Sequence, residues 1–291
     1  MKPELRTLNR EITNMKPYKH QDPIRLVLAD VDGTLVTQNK VLTEKTKEAV
    51  NKLKAAGIAF AITSGRPPRG MQTVMKDIRL STVVAGFNGG VYTTSQLDPI
   101  VMRDLPRDAA ARSIELIEEH DLVAWLYTDT VWYVPDPKGP HVDRESRTVG
   151  FGPQVTSDYS AYVAQVAKIV GVSDDLEAVA ACEKQVQQEL GDHVSAARSQ
   201  PYYLDVTHPA ANKGSVVDFL SAVYLIPSSS IATLGDMPND VLMFNKSGMS
   251  IAMGNASKEV QAQANFVTDS NEEEGFPNAI ERFVLNHVSS E

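Results

Sequence analysis

Short apolar runs that each end in a polar turn recur along the chain, and this recurrence constrains the fold most. The first run, residues 24–29, leads into Asp30-Val31-Asp32-Gly33-Thr34. Later runs end at Thr63-Ser64-Gly65-Arg66, at Asn88-Gly89 and at Gly235-Asp236-Met237-Pro238-Asn239-Asp240. Such runs are typical of buried strands in a parallel sheet. Because open parallel sheets carry ligand sites at the carboxyl ends of their strands, the turns predict one acidic, hydrogen-bonding edge.

Between these runs the apolar residues are spaced as in amphipathic helices. Helices are predicted at residues 44–56, 71–78, 215–224, 241–245, 259–264 and 276–288. Strands are predicted at residues 24–29, 58–62, 82–85, 231–234, 249–253 and 265–268. Strands and helices that alternate in this way predict a doubly wound parallel α/β sheet.

The middle of the chain follows a different pattern. Aromatic and β-branched residues fill residues 123–127 and 131–134, on either side of Thr128-Asp129-Thr130, which predicts a hairpin. Further strands are predicted at residues 167–172, 194–198 and 202–206, and helices at residues 108–119 and 176–190. This mixture predicts an α+β domain with an antiparallel sheet.

The two patterns divide the chain into parts. Residues 95–206 are predicted to form the α+β domain, inserted into an α/β core that consists of residues 23–94 and 207–291. Residues 1–22 show no clear period and are predicted to be an N-terminal extension.

Composition and charge exclude several classes of protein. The 291 residues carry a net charge of −9 and no basic tract, which argues against non-specific binding of nucleic acid. The one cysteine, Cys182, cannot form an internal disulfide. No signal peptide and no apolar stretch of about 18 residues is present. We therefore expect a cytoplasmic protein without a membrane partner, and its oligomeric state stays open between a monomer and a weak dimer.

Asp30 and Asp32 stand two residues apart at the end of the first run. Two close carboxylates repel each other unless a positive charge lies between them, and Mg²⁺ favours carboxylate oxygens and often bridges to phosphate. A calcium loop is excluded, because Gly33 occupies position four instead of six and Val41 stands where the closing glutamate is required. For this segment alone, a solvated acidic turn stays an alternative.

Together with Lys213-Gly214, these turns resemble the signature motifs of the haloacid dehalogenase-like superfamily, and within it the Cof-type sugar-phosphatase branch. The resemblance covers nearly the whole chain from residue 23, and the inserted domain is similar in position to the α/β cap of that branch. It implies a Mg²⁺-dependent phosphomonoesterase with a Rossmann-like core, in which the cap acts as a lid.

The resemblance also implies catalytic roles. Asp30 would be the nucleophile that forms an aspartyl-phosphate, and Asp32 would act as general acid and base. Ser64 would donate a hydrogen bond to a phosphate oxygen, and Lys213 would neutralise the nucleophile and the transferring group. Ser64 could instead be a helix N-cap.

The same resemblance implies a metal site and a substrate site. The metal site would use Asp30, the backbone carbonyl of Asp32 and Asp236, with Asp240 orienting them or capping the helix that follows. The residues assigned to the substrate or its phosphate are Gly33, Asn88, Gly89, Asn239 and Arg66. Arg66 could instead pair with a carboxylate.

The function that these roles imply is hydrolysis of a small phosphorylated metabolite, with a sugar phosphate as the leading candidate. A phosphomutase or phosphotransferase is one alternative, because it would use the same aspartyl-phosphate. A non-catalytic binding or regulatory member of the family is another, although such a protein would be expected to lack Asp30, Asp32 or Lys213, and all three are present.

Overall fold

The structure, a computed structural model, describes residues 22–286. These residues divide into two compact units: residues 22–60 with 217–286, and residues 61–216. The predicted N-terminal extension lies outside the described residues except for Asp22, as does the end of the predicted C-terminal helix. The domain boundaries at residues 95 and 206 stay a prediction.

The secondary structure alternates between strands and helices over most of the chain. The strands are β1 Leu26–Asp30, β2 Ala59–Thr63, β3 Val84–Gly86, β4 Val91–Thr93, β5 Pro99–Met102, β6 Val123–Tyr127, β7 Trp132–Val134, β8 Gln154–Val155, β9 Lys168–Val172, β10 Ser195–Gln200, β11 Tyr203–Thr207, β12 Ile231–Gly235, β13 Met249–Ala252 and β14 Phe266–Val267. The α-helices are α1 Glu44–Ala55, α2 Gln72–Asp77, α3 Arg107–Glu119, α4 Val142–Val149, α5 Leu176–Leu190, α6 Lys213–Tyr224, α7 Val241–Phe244, α8 Lys258–Gln261 and α9 Gly275–Ala279.

A parallel sheet forms the first unit, with its strands in the order β14–β13–β12–β1. Leu26 lies opposite Ile231 and Ala29 lies opposite Leu234, so β1 and β12 end side by side. Every residue of these two strands is buried, as expected for parallel strands with both faces covered. The predicted strands of the core are therefore confirmed.

In the second unit, β3 pairs in parallel with the end of β2, where Thr63 lies opposite Ala85. Two strands that the sequence analysis did not predict, β4 and β5, then continue the pairing in antiparallel fashion. They escaped prediction because β4 is a three-residue strand that directly follows the Gly89-Gly90 turn, and β5 begins with Pro99 and has no buried residue.

The second unit also contains a six-stranded sheet in the order β10–β11–β9–β6–β7–β8. The predicted hairpin is confirmed, since Tyr127 lies opposite Trp132 on β6 and β7. One face of this sheet packs against apolar residues of α3 and α5, including the buried Cys182. The opposite face carries buried aromatic side chains, Trp125 and Trp132 among them. The expected class, an α/β fold with an inserted α+β segment, is confirmed.

Two helices differ from the predictions. Helix α4 was not predicted, because its sequence, VDRESRTV, is apolar only at its two ends, and only Val142 and Val149 are buried. The C-terminal segment, predicted as one helix from residue 276, consists of the short α9 followed by a π-helix, Ile280–Leu285. None of the helices among the described residues is long and apolar enough to cross a membrane.

Candidate active site

Asp30 and Asp236 stand at the ends of adjacent parallel strands. Asp30 is the last residue of β1, and Asp236 follows the last residue of β12. Because Ala29 is in register with Leu234, the two carboxyl ends meet at one edge of the first unit's sheet. Both side chains are buried, with 4% exposure at Asp30 and 8% at Asp236.

A third carboxylate completes this group. One carboxylate oxygen from each of Asp30, Asp236 and Asp240 lies within 4.8 Å of the others, and all three residues are buried. Three buried carboxylates this close repel one another strongly unless a cation is shared between them. Oxygen donors of this kind suit Mg²⁺, so the donor set fits the metal that the sequence resemblance implied.

Asp240 also organises the loop that carries Asp236. Its Oδ2 accepts hydrogen bonds from the backbone nitrogen atoms of Asp236 and Met237, at 2.9 Å and 2.8 Å. The short 3-10 turn Pro238–Asp240 places the carboxylate under the loop, and Asn239 is exposed in the same turn. Asp240 therefore holds the loop that precedes it and makes no side-chain capping hydrogen bond to α7, the helix that follows. Its role in orienting a metal site stays a prediction.

Two further side chains hold the carboxylate of Asp236. The Thr34 hydroxyl donates to its Oδ1 at 3.3 Å. The amide nitrogen of Asn255 donates to its Oδ2 at 3.1 Å and to the carbonyl oxygen of Gly33 at 3.0 Å. Asn255 was not predicted from the sequence. The signal that could have found it was its position, three residues after the end of β13.

The carboxylate of Asp32 points to a different partner. Nζ of Lys40 lies 2.5 Å from Oδ1 of Asp32, and both side chains are partly exposed. The intervening residues form a tight turn, closed by a bridge between Asp32 and Val36. The carboxylate of Asp32 is therefore partly exposed and paired with a lysine, whereas those of Asp30, Asp236 and Asp240 are buried. This difference is consistent with a different chemical role for Asp32.

Ser64, Arg66 and Asn88 come together in the second unit, where the loops after β2 and β3 meet. The backbone nitrogen of Asn88 donates to the carbonyl oxygen of Ser64 at 2.8 Å, and that of Phe87 donates to Arg66 at 2.9 Å. The buried Ser64 hydroxyl accepts from the backbone nitrogen of Arg66 at 3.2 Å. Asn88 has a left-handed backbone, with φ of 56°. Such strained residues cluster at functional sites.

Gly89 lies against the beginning of the helix that Lys213 starts. A Cβ on Gly89 would come within 3.2 Å of the carbonyl oxygen of Asn212. Lys213 is the first residue of α6, as predicted, and is only 2% exposed. Arg103 holds this region together, because its Nη1 lies 2.8 Å from the carbonyl oxygen of Gly89 and 2.7 Å from Oγ of Ser215.

The comparisons with known proteins agree on one family. A family model described as haloacid dehalogenase-like hydrolase matches residues 27–280. The 5-amino-6-(5-phospho-D-ribitylamino)uracil phosphatase YitU of Bacillus subtilis is 27% identical over 288 residues, covering 94% of this chain and 98% of that protein. The pyridoxal phosphate phosphatase YbhA of Escherichia coli is 27% identical over 275 residues, covering 91% and 98%.

A solved structure shows the same fold. The subclass IIB sugar phosphatase BT4131 superposes with a TM-score of 0.79 at 21% identity, covering 89% of this chain and 98% of that one. The family model therefore confirms the expected membership of the haloacid dehalogenase-like superfamily, and the sugar-phosphatase branch stays a prediction.

Proposed function

Because the chain belongs to the haloacid dehalogenase-like hydrolases, we propose that it is a Mg²⁺-dependent phosphomonoesterase that acts on a small phosphorylated metabolite, with a sugar phosphate as the first candidate. The observation that carries this proposal is the convergence of the buried carboxylates of Asp30, Asp236 and Asp240. A cation shared between the three carboxylates would relieve their mutual repulsion, and a phosphate ester is a natural ligand for a cation held in this way.

The chemistry proceeds in two steps at phosphorus. A carboxylate oxygen of Asp30 attacks phosphorus, the ester P–O bond breaks, and Asp32 gives a proton to the departing alcohol oxygen. A water molecule then attacks the phosphorus of the aspartyl-phosphate while Asp32 takes its proton. Inorganic phosphate leaves and the carboxylate of Asp30 is restored.

The other predicted residues keep the roles that the family pattern assigns to them. Asp30, Asp236 and the backbone carbonyl of Asp32 would hold Mg²⁺, with Asp240 behind them. When bound, the cation supplies charge neutralisation for the carboxylates and the phosphoryl oxygens. Ser64 and Lys213 would stabilise negative charge on the phosphoryl group.

The remaining substrate contacts are also proposals. Gly33, Asn88, Gly89, Asn239 and Arg66 are assigned to the phosphate and the substrate. The segment inserted into the core is assigned the role of a lid, and an intracellular location follows the expectation from the sequence.

The proposal is tested by phosphate release from a panel of phosphorylated metabolites in the presence of Mg²⁺. We expect turnover of at least one small phosphate ester, loss of turnover with a chelator, and loss of turnover in Asp30→Asn with an unchanged far-UV circular dichroism spectrum. A phosphoryl group trapped on Asp30 and detected by mass spectrometry would identify the nucleophile.

Two outcomes would contradict the proposal. Turnover retained by Asp30→Asn would contradict the assignment of Asp30 as the nucleophile. If the wild type released no phosphate from any member of the panel, the proposed activity would be wrong. Transfer of the phosphoryl group to an added sugar, in preference to water, would favour a phosphotransferase instead.

A further inference from the structure

Residues 208–212 join the end of β11 to the beginning of α6, and we call them the joining segment. The segment ends directly before Lys213, the first residue of α6. It is folded back on itself, because the backbone nitrogen of Ala211 donates to the carbonyl oxygen of His208 at 2.8 Å. The place at which α6 begins therefore depends on the conformation of this segment.

Ala210 ties the joining segment to its surroundings in the second unit. Its carbonyl oxygen lies 2.7 Å from Nη1 of Arg103 and accepts from Oγ of Ser215, in the first turn of α6, at 2.8 Å. The same Nη1 of Arg103 lies 2.8 Å from the carbonyl oxygen of Gly89. A displacement of Ala210 would therefore disturb both the start of α6 and the loop of Gly89.

The imidazole of His208 fixes the backbone of Ala210. The backbone nitrogen of Ala210 donates to Nδ1 of His208 at 3.0 Å. Because a backbone N–H can only donate, this contact requires a lone pair on Nδ1 and places the ring proton on Nε2. The imidazole is therefore neutral in this arrangement. A second proton would occupy Nδ1, and the N–H of Ala210 would lose its acceptor and face a cation.

The charged groups that act on the His208 imidazole are Arg103 and Asp104. Burial and the guanidinium of Arg103 lower the pKa of His208, and the carboxylate of Asp104 opposes this shift. Burial and the charge of Asp129 raise the pKa of Asp104, and His208 opposes that rise. At neutral pH the imidazole is therefore mostly uncharged, as its hydrogen bond with Ala210 requires.

Asp104 offers the protonated imidazole a second partner. Within residues 22–286, no hydrogen-bond donor reaches Oδ1 of Asp104, although this atom is buried. Native proteins pair nearly all of their buried polar atoms, so this oxygen is an acceptor that the neutral imidazole leaves unused. A charged His208 would gain the Asp104 carboxylate as a partner when it loses Ala210. The protonation state of His208 thus selects between two partners.

From these contacts we infer that His208 is a positioning residue, whose neutral imidazole fixes the joining segment in front of Lys213 and whose protonation on Nδ1 releases that segment and lowers activity. The inference rests on the proposed phosphatase function and goes beyond it, because it assigns a pH-dependent role to a residue outside the predicted site. His208 acts through the backbone of Ala210, which Arg103 connects to the loop of Gly89.

The first test compares two variants on p-nitrophenyl phosphate. The asparagine in His208→Asn can accept from the backbone nitrogen two residues later, so this variant keeps the bond to Ala210 and does not titrate. Its kcat/KM should match that of the wild type at about pH 7.5. His208→Leu lacks the acceptor and should lose about tenfold at the same pH.

The pH profile distinguishes this role from a merely structural one. As the pH falls, the kcat/KM of the wild type should drop below that of His208→Asn, by about twofold where half of the His208 rings are protonated and by about fivefold one pH unit lower. The control is His193→Asn, in the exposed turn after α5, which should keep the wild-type profile.

Nuclear magnetic resonance tests the inference without turnover. The ring signals of His208, identified by their loss in His208→Asn, should titrate together with the backbone amide signals of Ala210 and Gly214. His193→Asn should leave this linked titration unchanged. The measurement uses the folded wild type, so it decides the matter even if His208→Leu fails to fold.

The possible failures are distinguishable. A ratio of activity between His208→Asn and the wild type that stays constant with pH would overturn the inference, as would amide signals of Ala210 that do not follow the ring of His208. Linked titration in a protein that hydrolyses no phosphate ester would leave the connection between His208 and the joining segment in place. Only the proposed phosphatase function would then be wrong.

Discussion

The backbone of Gly33 lies directly against the carboxylate of Asp236, so that a Cβ on Gly33 would be 2.3 Å from Oδ2 of Asp236. This distance is far below any van der Waals contact. Gly33 also has a φ of +81°, in the left-handed region that other residues rarely adopt. The position therefore excludes a side chain for two independent reasons, its own backbone conformation and the close approach of the Asp236 carboxylate.

Substitution Gly33→Ala is expected to displace the carboxylate of Asp236 and to remove most of the rise in melting temperature that Mg²⁺ gives to the wild type. The matched control is Gly57→Ala, where φ is +73° and a Cβ would meet nothing within 4 Å. Both variants should lose about 1–2 kcal/mol of stability through the backbone conformation. Only Gly33→Ala should lose the Mg²⁺ effect, as measured by calorimetry, and an equal Mg²⁺ response in both would contradict the assignment.

Two substitutions of Asp240 are expected to distinguish its effect on the stability of the loop from its effect on Mg²⁺ binding. Asp240→Asn keeps an oxygen that can accept from the backbone nitrogens of Asp236 and Met237. It also removes one of three mutually repelling charges. Its melting temperature without Mg²⁺ should therefore equal or exceed that of the wild type, while its Mg²⁺ affinity falls by about 10- to 100-fold.

The companion variant, Asp240→Ala, loses both hydrogen bonds and the charge. It should cost roughly 2–3 kcal/mol of stability even without Mg²⁺, because two backbone donors are left unpaired. Urea unfolding with and without Mg²⁺ measures both quantities. If Asp240→Asn bound Mg²⁺ as tightly as the wild type, Asp240 would serve only to hold the loop that carries Asp236.

Arg103 is expected to be a positioning residue for the loop of Gly89 and the helix of Lys213. Its Nη1 lies within hydrogen-bond distance of the carbonyl oxygens of Gly89 and Ala210 and of Oγ of Ser215. Arg103→Met should therefore lower the free energy of unfolding by roughly 3 kcal/mol. It should also raise KM for a phosphate ester, because the loop and the start of the helix would no longer be fixed to each other.

The control for Arg103 is Arg112, which contacts three carboxylates on the surface, those of Glu115, Glu119 and Glu189. Arg112→Met should be less destabilising than Arg103→Met despite the greater number of charged partners, because exposed ion pairs are weak. It should leave KM unchanged. The reverse order of stability, measured by urea unfolding, would refute the role given to Arg103.

The strand ends of the core were predictable because two regularities coincide there. Buried parallel strands such as β1 and β12 are nearly continuous apolar runs, and the polar residues that follow them must lie at one edge. Asp30 and Asp236 were therefore identified together with their strands. Asn255 was not, because a single asparagine after a strand has no distinguishing pattern until its contact with Asp236 is known.

The contacts between Lys168, Asp205 and their neighbours could not be predicted from local sequence patterns. Lys168 and Asp205 are 37 residues apart and meet only through the register of β9 and β11. Glu145 belongs to α4, a helix without an apolar stripe, so neither the helix nor the direction of its side chains was evident from the sequence. Contacts of this kind arise from tertiary pairing, which leaves no local periodicity.

The buried carboxylate of Glu145 should make stability depend on pH. Burial raises its pKa above the ordinary value of about 4.3. The folded state therefore binds this proton more tightly than the unfolded state, and stability is lost as the pH rises through the raised pKa. Glu145→Gln is uncharged and keeps an acceptor for the Tyr127 hydroxyl, so it should melt above the wild type at about pH 8. The difference should shrink toward zero as the pH falls to about 4, and a wild type that melts higher at neutral pH would contradict the assignment.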